Sequence, residues 1–429
     1  MASLFSCKKG YFYSGINDDP SQLKNPLPSN LLPGIIQSTG YEWGGDASRF
    51  PSTFMQQTTG IANQSLQANR YAVSADDVNN MWTSGLYGGG IMNNAHSLII
   101  IADSLKQYHY AAIGRILMAN ALGLTTDFWG DVPYTQAFQG VGNTQPKYDT
   151  QQQIYDTLFQ LLNKAIAALG VDDGSPFQPG AEDLLYGGDL DKWARFAHAL
   201  KAKFYLHLVK VDAANYDKAL AEIPDAFSAS SDDAGVLFNG ASVASENPWS
   251  QFNSQRGDIG FTGYIYDLLE ANGDPRLAVY SDGDGGLGTL YGSPNSTVYL
   301  MSYDELKFIE AEAAFQKNNK EAAASAYNAA VSANLIRTVG NDNYLAKVRK
   351  TAADITLQDI MTQKYIANFL NPEVWADWRR TGLPALTPAP GGVLGGQLPR
   401  TLLYPSGEQR YNANAPKNTS MTRRVWWDK

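Results

Sequence analysis

The chain has 429 residues, 44% of them hydrophobic and 17% charged, with a mean hydropathy of -0.30: a globular composition with length enough for a large core. Its net charge of -9 disfavours nucleic acid, because such binding takes most of its affinity from Lys and Arg neutralising phosphates. The longest apolar run, 98–102, is far short of the roughly 18 residues that a membrane-spanning helix needs.

In chain order, the first informative residue is Cys7, the only cysteine, which rules out an intrachain disulfide and a Cys-x-x-Cys metal site. Leu4-Phe5-Ser6-Cys7, followed by Lys8 and Lys9, resembles the end of a bacterial lipoprotein signal, and the alternative is a free thiol in a floppy terminus. Residues 1–15 read as a flexible tether and 16–429 as one domain.

Helices dominate that domain. Thr150-Gln-Gln-Gln153 and Ser302-Tyr-Asp-Glu305 fit the capping box, in which a hydroxyl serves a free amide and the residue three on reaches back. Ile154, Leu158, Leu161, Ala165 and Leu169 form one apolar stripe at helical spacing, and Trp193, Phe196, Leu200, Phe204 and Leu208 form another. Leu357, Met361, Tyr365 and Phe369 predict a further helix over 356–370. Residues 192–224 and 304–336 both read as helix, polar turn, helix over about 34 residues, the length of a tetratricopeptide repeat. Fainter helix pairs near 96–122 and 150–170 extend the series. The Gly-rich and aromatic-rich stretches 35–57, 235–263 and 281–299 read as long ligand-facing loops.

The signatures of catalysis and metal binding are missing. The four histidines, 96, 109, 198 and 207, make no His-Glu-x-x-His, and His198 and His207 fall in an apolar helix where a structural role is expected. Gly283-Asp-Gly-Gly-Leu-Gly288 matches the dinucleotide fingerprint, but the residues after it predict no helix to face a pyrophosphate. Asp282 and Asp284 could begin a calcium loop, yet its twelfth position is Ser293 in place of Glu. No metal and no cofactor are expected. What remains is aromatic: Tyr41, Trp43, Trp249, Phe252 and Tyr291 can offer flat faces to the C-H face of a sugar, with Arg256 to hydrogen-bond hydroxyls. The alternative reading for each ring is a plug that fastens its loop to the scaffold.

Several motifs then occur in order. They are Ile16-Asn-Asp-Asp-Pro20, Asp127-Phe-Trp-Gly-Asp-Val-Pro-Tyr134, Leu268 to Leu277 with its Asp-Pro-Arg, and Met301 to Phe315. Gln363-Lys364, Trp375-Ala-Asp-Trp-Arg-Arg-Thr-Gly382, and Pro399-Arg400 with Leu403-Tyr-Pro405 follow. Together they resemble the SusD/RagB-like outer-membrane lipoproteins of Bacteroidetes, and more narrowly the SusD-like 2 subgroup. The resemblance implies a mainly α fold, a tetratricopeptide-like helical-repeat scaffold (an α-superhelix) with an irregular, loop-rich ligand-facing half. It also implies a surface-exposed, lipid-anchored protein that is not an enzyme, captures glycans or oligosaccharides, and delivers them to a SusC-like TonB-dependent transporter. Cys7 would carry the lipid, and membrane contact would be through that anchor alone.

Two rival functions stay open on sequence: a glycoside hydrolase on a helical scaffold, and a tetratricopeptide-type interaction scaffold for peptide or other nutrient. Trp375, Trp378 and Arg379 fall at i, i+3 and i+4, so one helical face can hold all three. That stretch is expected to be a packing device, and Arg379 a stability residue.

Overall fold

The computed structural model describes residues 26–418 and 420–429. Cys7, the 1–15 tether and the Ile16–Pro20 motif lie outside the described residues.

The chain is mainly helical. It begins with α1 (Pro28–Trp43), α2 (Asp46–Phe54), the two-residue strand β1 (Thr59–Gly60) and α3 (Asn63–Asn69). A π-helical segment, Met81–Tyr87, precedes α4 (Met92–Ser104), α5 (Tyr108–Trp129), α6 (Gln151–Leu169), α7 (Leu190–His207) and α8 (Asn215–Glu222). The irregular middle holds β2 (Ala234–Val236), α9 (Pro248–Arg256), β3 (Ile259–Gly260), α10 (Tyr264–Asn272), α11 (Leu277–Tyr280), α12 (Thr289–Gly292) and β4 (Val298–Met301). The last third carries α13 (Tyr303–Gln316), α14 (Lys320–Val339), α15 (Leu345–Val348), α16 (Leu357–Ala367), α17 (Glu373–Thr381) and α18 (Ser406–Tyr411).

Successive helices α4 to α8 pack each on the next, and α13 packs on α14, on α16 and on both α7 and α8. The two segments read as helix pairs are thus hairpins, α7 with α8 and α13 with α14, joined side by side. Residues 150–170 differ from expectation: they form the single helix α6 between α5 and α7. Thr150 caps α6 with the reciprocal Gln153 bond. Ser302 caps α13 too, but Glu305 does not reach back; its carboxylate lies 2.7 Å from Lys203 Nζ on α7 instead.

The stretch 35–57 is helical in place of the expected loop. Its Gly40, Gly44 and Gly45 suggested irregular chain, yet Ile35, Ile36, Thr39 and Trp43, with Leu32 before them, lie on one buried face of α1. Gly40 is there for closeness: a Cβ at this position would stand 2.5 Å from Val236 Cγ1. Two small antiparallel pairings then hold the irregular half against these helices. β2 pairs with β4, bringing the chain after Val236 to the side of α1. Thr59 of β1 pairs with Gly260 of β3, which fastens α9 beside α2 and α3.

Every quoted motif among the described residues is a buried junction. Asp127 Oδ1 accepts from Tyr155 Oη at 2.6 Å and Trp427 Nε1 at 2.8 Å, while Oδ2 lies 3.1 Å from His207 Nδ1. Arg276 of the Asp-Pro-Arg element forks onto Asp274 (2.6 Å) and also reaches Asn334 (2.8 Å) and Gln363 (2.7 Å). Lys364 donates to Asp377 at 2.7 Å, and Arg380 bridges Asp377 (2.6 Å) and Glu312. Arg379 stacks over Trp375 at 4.4 Å and Trp427 at 4.7 Å. Buried charges survive only when paired and hydrogen-bonded, so this network fixes which helix meets which. His198 is likewise satisfied, 2.6 Å from Glu222.

Candidate ligand-binding site

The end of α1 and the π-helical segment enclose an open cavity of about 340 Å³, in the range of small-ligand pockets. Tyr41 and Glu42 come from α1, Asp46 from the start of α2, Asn80 and Ser84 from the π segment and its lead-in, and Ala244 from the loop after β2. A π turn is rare and frequently marks a functional site, because its extra residue re-aims the neighbouring side chains. Here it presents Gly85 to the Glu42 carboxylate, at a distance where a Cβ would collide with Oε2.

Glu42 is the electrostatic oddity. Its Oε1 is buried and has no hydrogen-bond partner among the described residues. Burial pushes the carboxyl up to about 8, with the nearby Asp46 charge adding and Arg49 opposing. At neutral pH it is therefore mostly a neutral acid in the wall of the cavity.

Tyr41 borders the same space. Its hydroxyl donates to Gln251 Oε1 on α9, and Gln251 Nε2 donates to the Val243 carbonyl at 2.6 Å, so ring, helix and loop are held together. Asp46 carries the surface onward: it pairs with Arg49 at 2.5 Å, and the Arg49 guanidinium lies 4.4 Å from the centre of the Phe252 ring. Arg256 stands 5.9 Å from the same ring and pairs with Asp258 at 2.9 Å. Of the six expected ligand contacts Tyr41 alone lines this cavity; Phe252 lines a smaller cleft beside it with Asp46 and Arg49, and Arg256 lines neither.

The other three aromatic candidates line neither space. Trp43 is 4% exposed, Trp249 1% and Tyr291 9%, so none can offer a ring face without repacking. Trp43 belongs to the inner face of α1. Trp249 follows the Asn247 cap of α9, and its indole N-H donates to Ser48 Oγ at 3.0 Å. Tyr291 lies in α12 against Phe369, 5.9 Å between ring centres, and burial pushes its hydroxyl up to about 12. In each case a helix lies where a loop was expected: the long α1 for Trp43 and the short α9 and α12 for Trp249 and Tyr291.

The α12 turn also follows the glycine fingerprint, where no helix was expected; at four residues it is a single turn. Asp282 Oδ1 is spent on the amides of Asp284 and Gly286, both at 2.8 Å, inside its own loop. Among the described residues no cluster of three His, Cys, Asp or Glu side chains could hold a metal ion. Sequence reasoning missed Glu42, Asn80 and Ser84. The signals were there, in the acid between Tyr41 and Trp43 and in the glycine run after Ser84, but neither has meaning until α1 and the π turn are side by side.

The family model described as "Starch-binding associating with outer membrane" matches residues 20–289 and 286–405. The chain belongs to this SusD-like 2 family. No curated protein matches. Among solved structures, a SusD/RagB family protein from Bacteroides thetaiotaomicron is 23% identical with a TM-score of 0.76, covering 94% of this chain and 99% of that one. A Bacteroidetes SusD-like protein gives 21% and 0.80, over 94% and 100% of the two chains. A chitin-binding SusD homologue from Flavobacterium johnsoniae gives 22% and 0.71, over 94% and 98%. At these identities the likeness shows the SusD-like fold, the helical-repeat scaffold described above.

Proposed function

We propose that this SusD-like protein is a non-catalytic, cell-surface glycan-binding lipoprotein of the outer membrane, and that it hands oligosaccharides to a SusC-like TonB-dependent transporter. The observation that carries the binding part is the cavity at Tyr41 and Glu42, built on a chain whose family is described as starch-binding. The chitin-binding relative supports a glycan as ligand class. Among the described residues no helix is long and apolar enough to cross a membrane, which suits attachment through a lipid at Cys7.

In this reading the Tyr41 ring packs on the apolar face of a sugar, and neutral Glu42 donates to a hydroxyl or ring oxygen. Asn80 and Ser84 complete the hydrogen bonds from the opposite wall. Such a site gains a few kcal/mol from hydrophobic and polar terms together after ordering costs of similar size, so affinities from micromolar to millimolar are expected. The test is calorimetry against a panel of starch, chitin, xylan and β-glucan oligosaccharides. Binding of one class, weakened at least ten-fold by Tyr41→Ala, supports the proposal; binding of peptides and no saccharide refutes the glycan part. Co-purification with a SusC-like partner, and loss of the full-length protein from the membrane fraction on Cys7→Ala, test the remainder.

A further inference from the structure

On its other side the π-helical segment borders a second cavity, of about 360 Å³, which neither the family match nor the site above assigns. Met81, Ser84 and Gly85 face the first space and Trp82, Thr83 and Tyr87 the second. The second wall is aromatic: the half-buried rings of Tyr87 and Phe138 lie 6.1 Å apart at an interplanar angle of 24°, backed by buried Trp82, whose ring centre is 4.7 Å from that of Tyr87. The opposite lining is polar and uncommitted. The amides of Asn93 and Gln139 are exposed to solvent and make no side-chain hydrogen bond among the described residues, while half-buried Glu408 spends Oε2 on Tyr148 (2.7 Å) and Asn412 (3.1 Å).

Two features show a built wall. Phe138 is held at φ 61°, a left-handed conformation that costs a non-glycine residue energy and persists where its surroundings impose it. The loop carrying it is fastened at its base by Asp149, whose carboxylate accepts from the amides of Tyr134 and Thr135, both at 2.8 Å. Segments near 82–93, 133–146 and 408 converge from distant parts of the chain to make the enclosure.

We infer that the cavity bounded by Trp82, Tyr87, Phe138, Asn93, Gln139 and Glu408 is a second saccharide subsite, taking one uncharged pyranose unit. The chemistry selects that occupant. Glu408 disfavours an anion, no Lys or Arg among the described residues lines the space to attract one, and an aliphatic ligand would make no use of the polar side chains on its rim. Aromatic surface on one side and amide and carboxylate groups on the other match the two characters of a sugar ring.

The inference rests on the glycan reading, so its test separates the two. Maltotriose, tri-N-acetylchitotriose, xylotriose and laminaritriose are titrated into the full protein, and into Asn93→Trp and Ser38→Trp, which fill the second and first cavities from exposed or half-exposed helix positions. The expected result, for at least one trisaccharide, is two binding events, one weakened ten-fold or more by each variant, with Glu408→Gln weakening the same event as Asn93→Trp. A single event, abolished by Ser38→Trp and untouched by Asn93→Trp, overturns the second subsite and leaves the glycan reading standing. No event with any trisaccharide up to millimolar concentration overturns both.

Discussion

Arg379 Nη1 donates a hydrogen bond to the carbonyl of Asp127, 252 residues earlier in the chain, at 2.5 Å. The same nitrogen reaches the Arg400 carbonyl at 3.0 Å, and the guanidinium lies between two indoles. Through this arginine the first and last thirds of the chain are joined.

Arg379→Ala is therefore expected to destabilise the protein by about 1–3 kcal/mol, the loss typical of leaving a buried carbonyl without its donor, with the lost indole packing in addition. Ligand affinity of the folded fraction should not change. Denaturant unfolding and calorimetry of the same sample check this; a variant of normal stability with lost binding would reverse the assignment. Arg380→Ala, which strands the buried carboxylates of Glu312 and Asp377, should cost more, about 3–5 kcal/mol.

His207 sets an alkaline limit on stability. Burial opposes its charge, but Glu373 and Asp127 on either side outweigh that and raise it to about 9. A histidine raised in the fold stabilises fully below its unfolded value near 6.5, and that contribution, about 3 kcal/mol, is lost as pH climbs through 9. Asp127 runs the other way. Burial works against its charge, yet His207 and Arg379 hold it below the usual carboxylate range, so its contribution disappears only in strong acid. Unfolding free energy should thus fall between pH 6.5 and 9 in the wild type and fall less in His207→Gln. Parallel curves for the two proteins would contradict the assignment.

Glu42 gives the opposite sign on stability. A carboxyl raised to about 8 must bind a proton on folding at neutral pH, which costs free energy there. Glu42→Gln should raise the melting temperature at pH 7 and keep affinity for the glycan, since an amide also donates. In the wild type affinity should decline as pH passes 8, whereas Glu42→Gln should bind with no such step.

Trp249→Ala and Tyr41→Ala should separate cleanly. Truncating the buried indole is expected to cost about 3–5 kcal/mol of stability. Removing the half-buried Tyr41 ring should leave thermal unfolding within a few degrees of wild type and reduce binding.

The scaffold was legible in the sequence because its signals are local: the Thr150 cap, the Trp193 to Leu208 stripe and the hairpin 304–336 each announce a helix without reference to the rest of the chain. The motif residues were legible as a set, but their work was not, since the partners of Asp127 include Trp427 at the far end. The site was least legible. Trp43 and Trp249 looked like loop aromatics because Gly and Pro around them suggest irregular chain, and only the placement of α1 and α9 turns both rings inward. Tyr41 is two residues from Trp43, and on a helix that spacing puts the two side chains on different faces.

The most direct test of the account is one set of oligosaccharide titrations on wild type, Tyr41→Ala and Arg379→Ala at a temperature where all three are folded. At least one glycan should bind wild type and Arg379→Ala alike and bind Tyr41→Ala at least ten-fold more weakly. Equal affinity for wild type and Tyr41→Ala, with binding lost in a folded Arg379→Ala, would contradict it.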